Sequence, residues 1–176
     1  MSTSSLKKTA PDCILPAYGK VLDEQMIDLG QDRLLAVIRI DGLNFEAESD
    51  GVIHNAFESV NALLVGLAKD YGASLSVWTH LIKRATVLDQ QYRFKNDFVQ
   101  SFVDQYCRTF ASGRFYQASY YLTFVLKHQE LHQGMAQLQR ILAMANQTLG
   151  KFSARVLEIV EHGPGVYSCE HAEFLA

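Results

Sequence analysis

An alternating segment at residues 115–127 constrains the fold of this 176-residue chain more than any other feature. Side chains of a β-strand point to opposite faces in turn, so alternating positions share a face. One face of this segment is apolar and carries Tyr116, Ala118, Tyr120, Leu122, Phe124 and Leu126. The other face carries Gln117, Ser119, Tyr121, Thr123 and Lys127, and Val125 is its one aliphatic residue. The pattern predicts a long strand in a sheet that is covered on one side and more polar on the other.

Three further strands are predicted earlier in the chain. Residues 26–29 and 34–40 are apolar runs around the sequence GQDR, which is typical of a β-hairpin, and Asp41-Gly42 ends the second run with a turn signal. Residues 75–84, LSVWTHLIKR, are dense in β-branched and aromatic residues and contain neither Gly nor Pro. Neither face of this strand is purely apolar, and it ends on Lys83 and Arg84.

Two segments have the periodicity of amphipathic helices. From Ile53 to Tyr71 apolar residues recur at spacings of three and four, Ser49 or Asp50 can cap this helix, and Gly72 can end it. A second helix carries one aromatic stripe and is closed by Gly113. The residues of that stripe are Phe94, Phe98, Phe102, Tyr106 and Phe110.

The final third of the chain carries an apolar stripe with heptad spacing over about four repeats. Its members are Leu131, Met135, Leu138, Leu142, Ala145, Leu149, Phe152, Val156 and Ile159. Glycine weakens a helix interior by about 1 kcal/mol, so a break near Gly150 is expected. Two interpretations stay open: the stripe packs across the apolar sheet face, or part of it projects and mediates oligomerisation.

These elements predict an α/β chain of the α+β type, with a mainly antiparallel sheet, helices packed on one face and a long C-terminal helical segment. Residues 1–16 are rich in Ser, Lys and Thr, contain Pro11 and Pro16, and are predicted to be a flexible lead-in. Residues 17–176 are predicted to form a single domain, because 48% hydrophobic residues in a chain of this length suffice for a core.

Composition argues against nucleic-acid binding, a membrane span and secretion. A net charge of −3 argues against a grip on nucleic acid, which needs a concentrated basic face. No apolar run approaches the roughly 20 residues of a membrane span, and the polar N-terminus lacks the apolar stretch of a secretory signal. Three cysteines, Cys13, Cys107 and Cys169, lie far apart and suit a reducing compartment. A cytoplasmic chain is therefore expected, with docking to a membrane complex left open.

No catalytic, cofactor-binding or metal-binding residue is predicted. The motifs Gly-x-x-x-x-Gly-Lys-[Ser/Thr], Gly-x-Gly-x-x-Gly and Gly-x-Ser-x-Gly are absent. His128 and His132 have a spacing that could share a metal on a helix, but no third ligand is evident, and an exposed helix start is the favoured interpretation. His80 is interpreted as a half-buried structural histidine. Asp41 precedes a glycine, which favours a turn.

Five short segments, taken in order, resemble the N-terminal domain of the type IV secretion and conjugation ATPases, the CagE/TrbE/VirB family. They are VIRIDG at 37–42, NALL at 61–64 within the first helix, VWTHLIKR at 77–84, YYLTFV at 120–125 and EFLA at 173–176. The resemblance spans roughly residues 17–176 and depends on the shared order of the segments.

The resemblance implies a large ATPase, peripheral at the cytoplasmic face of the bacterial inner membrane, that energises machine assembly and the transport of protein or DNA. It places ATP and Mg²⁺ in a RecA-like domain beyond residue 176, so no catalytic residue carries over to this sequence. For the domain itself it implies docking and homo-oligomerisation. The implied partners are inner-membrane and cytoplasmic components of a type IV secretion system, without direct contact to nucleic acid.

Two candidate contact surfaces follow: the cationic strand end with Lys83 and Arg84, and the sheet face with Ser119, Tyr121 and Thr123. The heptad stripe is the candidate self-association element. Two alternatives remain, a stand-alone small enzyme of ferredoxin-like architecture that uses His80 or Asp41, and a generic dimerisation scaffold. The last residues, 174–176, carry no cap or polar tail, which favours continuation into a longer protein.

Overall fold

The structure is a computed structural model, and it describes residues 20–42, 45–85, 92–110 and 115–175. The strands of these residues are β1 (Ile27–Gly30), β2 (Arg33–Ile40), β3 (Leu75–Ala85), β4 (Tyr116–Lys127), β5 (Ala154–Val156), β6 (Ile159–Gly163) and β7 (Val166–Cys169). The α-helices are α1 (Asp50–Tyr71), α2 (Asp97–Phe110), α3 (Leu131–Leu149) and α4 (Glu170–Leu175). Short 3₁₀ turns cover Phe45–Ala47, Gly72–Ser74 and Gly150–Phe152. The predicted lead-in at 1–16 and the predicted helix stop at Gly113 lie outside the described residues.

The main sheet has five strands in the order β1-β2-β4-β3, and β5 also pairs with β2. Both β1 and β5 run antiparallel to β2, with Ile27 opposite Leu35 and Val156 opposite Ile38. Strands β6 and β7 form a separate antiparallel pair. The predicted α+β class with a mainly antiparallel sheet is confirmed.

The turn between β1 and β2 is the predicted hairpin. Gly30, Gln31 and Asp32 have φ values of 71°, 52° and 56°, all in the left-handed region. Glycine enters this region without steric strain, and a short polar side chain such as aspartate tolerates it better than most residues do. The Gly30 N–H donates to Asp28 Oδ1 at 2.7 Å, which fixes the start of the turn.

The chain divides into two compact units. The larger unit comprises Met1–Thr79 and Tyr121–Ala176, and the smaller unit is His80–Tyr120, so the boundaries fall inside β3 and β4. In sequence the smaller unit is an insertion into the larger one.

Strand β2 is buried on both faces of the sheet in the larger unit. Its alternate residues Leu34, Ala36 and Ile38 belong to the main core, and Leu35 and Val37 belong to a second cluster. The other buried members of the main core are Met26, Leu67, Phe124, Leu126, Leu138, Ile141, Leu142, Ala145 and Leu149. Helices α1 and α3 supply core residues on this face, as the sequence predicts. A strand that is buried on both faces reads as a continuous apolar run, which residues 34–38 are.

The opposite sheet face differs from the prediction that it would be the more polar one. Leu157, Phe174 and Leu175 pack there with Tyr121 and Val125 of β4 and with residues of β1 and β2. Leu157, Phe174 and Leu175 come from segments well after β4 in the sequence. The alternation within β4 therefore could not predict that they cover this face. In the larger unit both faces of the sheet are therefore covered.

The heptad stripe is divided between two kinds of secondary structure. Helix α3 ends at Leu149, a 3₁₀ turn follows, and Ser153 adopts a left-handed φ of 52° before β5 begins. The expected break at Gly150 is confirmed, and Val156 and Ile159 lie in strands. The stripe residues Leu138, Leu142, Ala145 and Leu149 are buried in the main core. The packing interpretation holds for them, which leaves them unavailable for contact with another chain.

Candidate interaction surfaces

The predicted cationic end of β3 is exposed in the smaller unit. Lys83 and Arg84 both lie open to solvent in the last three residues of the strand. Neither forms an ion pair with another of the described residues. Their charges therefore remain available to an acidic partner.

The three predicted residues of β4 have different environments. Ser119 is half-buried in the smaller unit. In the larger unit, Thr123 is only 5% exposed, and the ring of Tyr121 lies 4.6 Å from the ring of Phe174, centroid to centroid. Tyr121 therefore makes an internal contact with α4, and Thr123 is buried within the larger unit.

Helix α2 of the smaller unit presents aromatic rings to solvent. Phe98 is 79% exposed, Phe102 is 64% exposed and Tyr106 is 57% exposed. Asn96 caps the helix, since its Oδ1 accepts the Phe98 N–H at 2.9 Å. At the other end Phe110 is half-buried and lies 4.5 Å from Phe115 between ring centroids. The middle of the aromatic stripe is thus left uncovered.

A signal for this exposure exists in the sequence. The aromatic residues recur strictly every four residues, and each such step turns about 40° beyond a full helical turn. Phe98 and Phe110 therefore lie on different sides of α2 and cannot both face one core. The half-buried side of the helix carries Val103, Cys107 and Phe110. Cys107 is a half-buried free thiol there, an environment in which cysteine behaves as a small apolar residue.

Helix α1 of the larger unit is also partly uncovered. Leu67 is buried in the main core, and Val60 and Tyr71 pack against it. Phe57, which belongs to the same predicted stripe, is 75% exposed, and Leu64 is exposed as well. Of the predicted stripe, Val60, Leu67 and Tyr71 therefore pack in the core, whereas Phe57 and Leu64 do not.

An ion pair ties α4 to β5 in the larger unit. Arg155 donates two hydrogen bonds to the Glu170 carboxylate, at 2.6 and 2.7 Å, and Glu170 Oε2 also accepts the Glu158 N–H at 3.1 Å. The bond from Arg155 lowers the pKa of Glu170 below its ordinary value, and the same pair raises the pKa of Arg155. A bidentate arginine–carboxylate pair fixes geometry as well as charge.

His171, the next residue of α4, is 1% exposed. Burial lowers its pKa below the ordinary value, while a hydrogen bond to the backbone of Gln25 and the charges of Glu170 and Asp23 oppose that shift. The neutral imidazole is therefore the form that packs in the folded larger unit.

Asp41 and His80, the two residues that the enzyme alternative would use, lie in environments that a structural role explains. Asp41 pairs with Arg39 at 2.9 Å, and Gly42 follows with a φ of 104° and donates its N–H to Phe152 O at 3.0 Å. This is the predicted turn. His80 is half-buried, as expected.

His128 is less exposed than the sequence suggests. It precedes α3 and is half-buried, its N–H donates to Asp32 O at 2.9 Å, and a Cβ placed on Gly134 would lie 2.6 Å from the His128 Cβ. Close packing against a glycine of the helix therefore accounts for its position, whereas His132 is exposed. Across the described ranges, no three His, Cys, Asp or Glu side chains are grouped so that they could hold a metal ion.

Among the helices that the structure describes, none is both long and apolar enough to cross a membrane. What the geometry defines is an α+β domain with an exposed aromatic helix face and an exposed cationic strand end. The family model for the N-terminal domain of the type IV secretion system ATPase VirB4/TrbE matches residues 26–134. The match covers more than half of the chain, and the chain belongs to this family.

Individual relatives agree with the family match. The chain is 20% identical over 192 aligned residues to the type IV secretion system protein virB4 of Bartonella henselae, an alignment that covers 96% of this chain and 24% of the relative. It is 25% identical over 130 residues to protein virB4 of Rhizobium radiobacter, covering 73% of this chain and 16% of the relative. The chain thus spans at most about a quarter of the length of these relatives. The resemblance found in the sequence is confirmed.

Proposed function

We propose that this chain forms the N-terminal docking and oligomerisation domain of a type IV secretion system ATPase at the cytoplasmic face of the inner membrane. The match of the N-terminal domain model to residues 26–134 carries this proposal. ATP and Mg²⁺ would be bound by the remainder of the protein, where ATP hydrolysis would energise the assembly of the machine and the transport of protein or DNA.

The cationic end of β3 is the proposed docking site for other components of the secretion system. Lys83 and Arg84 are adjacent and exposed, and their charges are not neutralised by any described residue. Charges at the rim of an interface steer the encounter of two partners and select against the wrong ones. Inner-membrane or cytoplasmic components with an acidic surface are the partners that this end would recruit.

Charge reversal in the full-length protein tests the docking proposal. The Lys83→Glu/Arg84→Glu variant should recover inner-membrane components about tenfold less well in pull-downs, because two attractive rim charges become repulsive. The matched control is Lys69→Glu/Lys151→Glu, which reverses two exposed cations of the larger unit. Equal recovery by both variants would refute docking through the end of β3.

A further inference from the structure

The smaller unit, His80–Tyr120, has no buried core among its described residues. Each of these residues is exposed or half-buried in the chain as a whole. The large apolar side chains that it exposes are those of Leu81, Tyr92, Phe94, Phe98, Val99, Phe102, Tyr106, Phe115, Tyr116 and Tyr120. Apolar surface on this scale marks a contact with something outside the chain more often than a solvated surface.

The same unit is cationic, whereas the rest of the chain is anionic. Residues 80–120 hold six of the 16 lysines and arginines but three of the 19 aspartates and glutamates, which gives a net charge of +3 and leaves −6 for the remainder. The described cations of the unit are all exposed, and none forms an ion pair with a described carboxylate. They are Lys83, Arg84, Arg93, Lys95 and Arg108. A partner with a negatively charged surface is therefore favoured.

Aromatic and cationic residues alternate directly before α2. Tyr92, Arg93, Phe94 and Lys95 are all exposed, and the rings of Tyr92 and Phe94 lie 6.4 Å apart, centroid to centroid. The surface of a bilayer accommodates both kinds of side chain, because aromatic rings partition to its interface and long cationic side chains extend to the headgroups. This segment therefore has the composition of a lipid contact.

The carboxylates of α2 lie on the side of the helix away from its exposed rings. At 100° per residue, Asp97 and Asp104 lie about 140° and about 160° around the helix from Phe102. Phe98 and Tyr106 each lie about 40° from it. The three rings can therefore enter an apolar phase while both carboxylates stay in water, which is the arrangement of helices that rest on a membrane.

We propose that the smaller unit binds directly to an anionic lipid bilayer, with the rings of Phe98, Phe102 and Tyr106 inserted at the interface and with Arg93 and Lys95 on the lipid phosphates. Helix α2 has 14 residues and is about 21 Å long at 1.5 Å per residue, which is shorter than the roughly 30 Å hydrocarbon core. It would therefore lie along the surface. This inference rests on the proposed function, since it names the surface that would hold the domain at the inner membrane.

Charge favours a bilayer over a twofold pair of smaller units. Such a pair would bring together two units that each carry a net charge of +3, and like charges repel. Anionic headgroups attract cations that lie close to the surface, and the acyl chains beneath them receive aromatic rings. A bilayer thus offers both phases that this unit needs, one above the other.

Vesicle flotation tests the proposal with the 176-residue chain. The chain should float with vesicles of phosphatidylglycerol and phosphatidylethanolamine, and Phe98→Ser/Phe102→Ser should raise the dissociation constant more than tenfold, because two inserted rings are lost. Phe57→Ser/Val65→Ser makes matched substitutions at exposed residues of α1 and should leave binding unchanged. A chain that stays unbound, or that binds equally well without the two rings, overturns the inference.

Lipid charge and protein charge are varied in a second experiment. Arg93→Glu/Lys95→Glu should weaken binding to the same vesicles at least about tenfold, because each cation near an anionic surface contributes to the attraction. The matched control is Lys69→Glu/Lys151→Glu, two exposed cations of the larger unit. The unaltered chain should bind vesicles of phosphatidylcholine alone much more weakly. Equal binding to both kinds of vesicle, or equal loss in the two variants, would contradict recognition of anionic lipid by this unit.

A tryptophan in α2 reports which side of the helix meets lipid. The chain has a single tryptophan, so Trp78→Phe provides a silent background. In that background Phe102→Trp should show a blue-shifted emission on vesicle binding and quenching by lipids brominated on the acyl chain. Asp104→Trp, on the opposite side, should show neither change. The same response from both positions would rule out insertion through the aromatic face.

Failure of this inference can be told apart from failure of protein docking. The full-length Phe98→Ser/Phe102→Ser variant should still recover inner-membrane components from detergent extracts, in which the bilayer is removed, whereas Lys83→Glu/Arg84→Glu should not. Loss of those components from the ring variant would mean that a protein covers the rings. Self-association that depends on the rings, measured by sedimentation velocity without any vesicle binding, would mean that a second copy covers them. Either result overturns lipid binding and leaves the docking site at β3 standing.

Discussion

Helices α3 and α2 are both amphipathic, yet one is buried along its stripe and the other is exposed. In α3 of the larger unit, apolar residues alternate at spacings of four and three, and Leu138, Leu142 and Ala145 stay in line with the main core. In α2 of the smaller unit, the spacing is four throughout, and the stripe turns away from the half-buried side. Apolar periodicity thus indicates that a face needs a cover, and the exact spacing indicates whether the chain's own core can supply it.

The largest expected effect separates the two helices by stability. Leu138→Ala in α3 should lower the free energy of unfolding by about 2–5 kcal/mol, because the side chain is fully buried and its loss leaves a cavity. Phe102→Ala in α2 should change it by less than about 0.5 kcal/mol in dilute monomer. Chemical denaturation measures both. Similar losses for the two variants would show that the face of α2 is as well packed as that of α3.

The packed side of α3 can also be compared with an open position of α1. Gly134→Ala should destabilise the chain by about 1–3 kcal/mol although alanine is the better helix former, because the new methyl group meets the His128 Cβ. At Gly66 of α1 an added Cβ meets no atom within 4 Å, so Gly66→Ala should stabilise the chain by about 0.5–1 kcal/mol. Thermal unfolding of both variants measures the difference. If both substitutions stabilised the chain, the His128 side chain would be able to move aside without strain.

A smaller effect is expected at the ion pair that holds α4. Glu170→Gln removes the charge that receives both hydrogen bonds of Arg155 and should lower the free energy of unfolding by about 1–2 kcal/mol. Glu161→Gln removes an exposed carboxylate of β6 and serves as the control. Urea denaturation at low ionic strength compares them. If Glu170→Gln matches the control, the pair contributes geometry without measurable stability.

The smallest expected effect is a pH dependence that belongs to the larger unit. The pKa of His171 is lowered from 6.5 in the folded state, so the unfolded chain binds more protons at this site. Stability is then complete above about pH 6.5 and falls as the pH drops from there toward the folded pKa. Glu170, whose pKa is lowered from 4.5, adds a further loss at lower pH. Denaturation between pH 5 and 8 should show a weaker dependence for His171→Gln, and an unchanged slope would exclude His171 as its source.

Local sequence signals predicted much of the fold. The hairpin follows from Gly30 and Asp32, which tolerate left-handed backbone, and the end of α3 follows from Gly150. The α+β class followed from the predicted strands and helices, and the family followed from short segments in a fixed order. The exposure of the end of β3 could be predicted from the position of two cations, Lys83 and Arg84, at the end of a strand.

Contacts between distant segments could not be predicted in this way. Tyr121 is covered because Phe174 and Leu175 return to the same sheet face some fifty residues later. Alternation within β4 reports the polarity of its side chains and contains no information on that return. The exposure of α2, by contrast, is readable locally, because a constant spacing of four residues carries the aromatic stripe around the helix.

The pairing of β2 with β5 has a consequence for the order in which the chain can fold. Ile38 and Val156 are opposite each other in register, although more than a hundred residues separate them in sequence. Loop-closure entropy makes such long-range contacts slow to form, and they raise the contact order of the domain. During synthesis on the ribosome, β2 can pair with β5 only after most of the chain has been made. The larger unit is therefore expected to complete its sheet late, after the intervening smaller unit has been made.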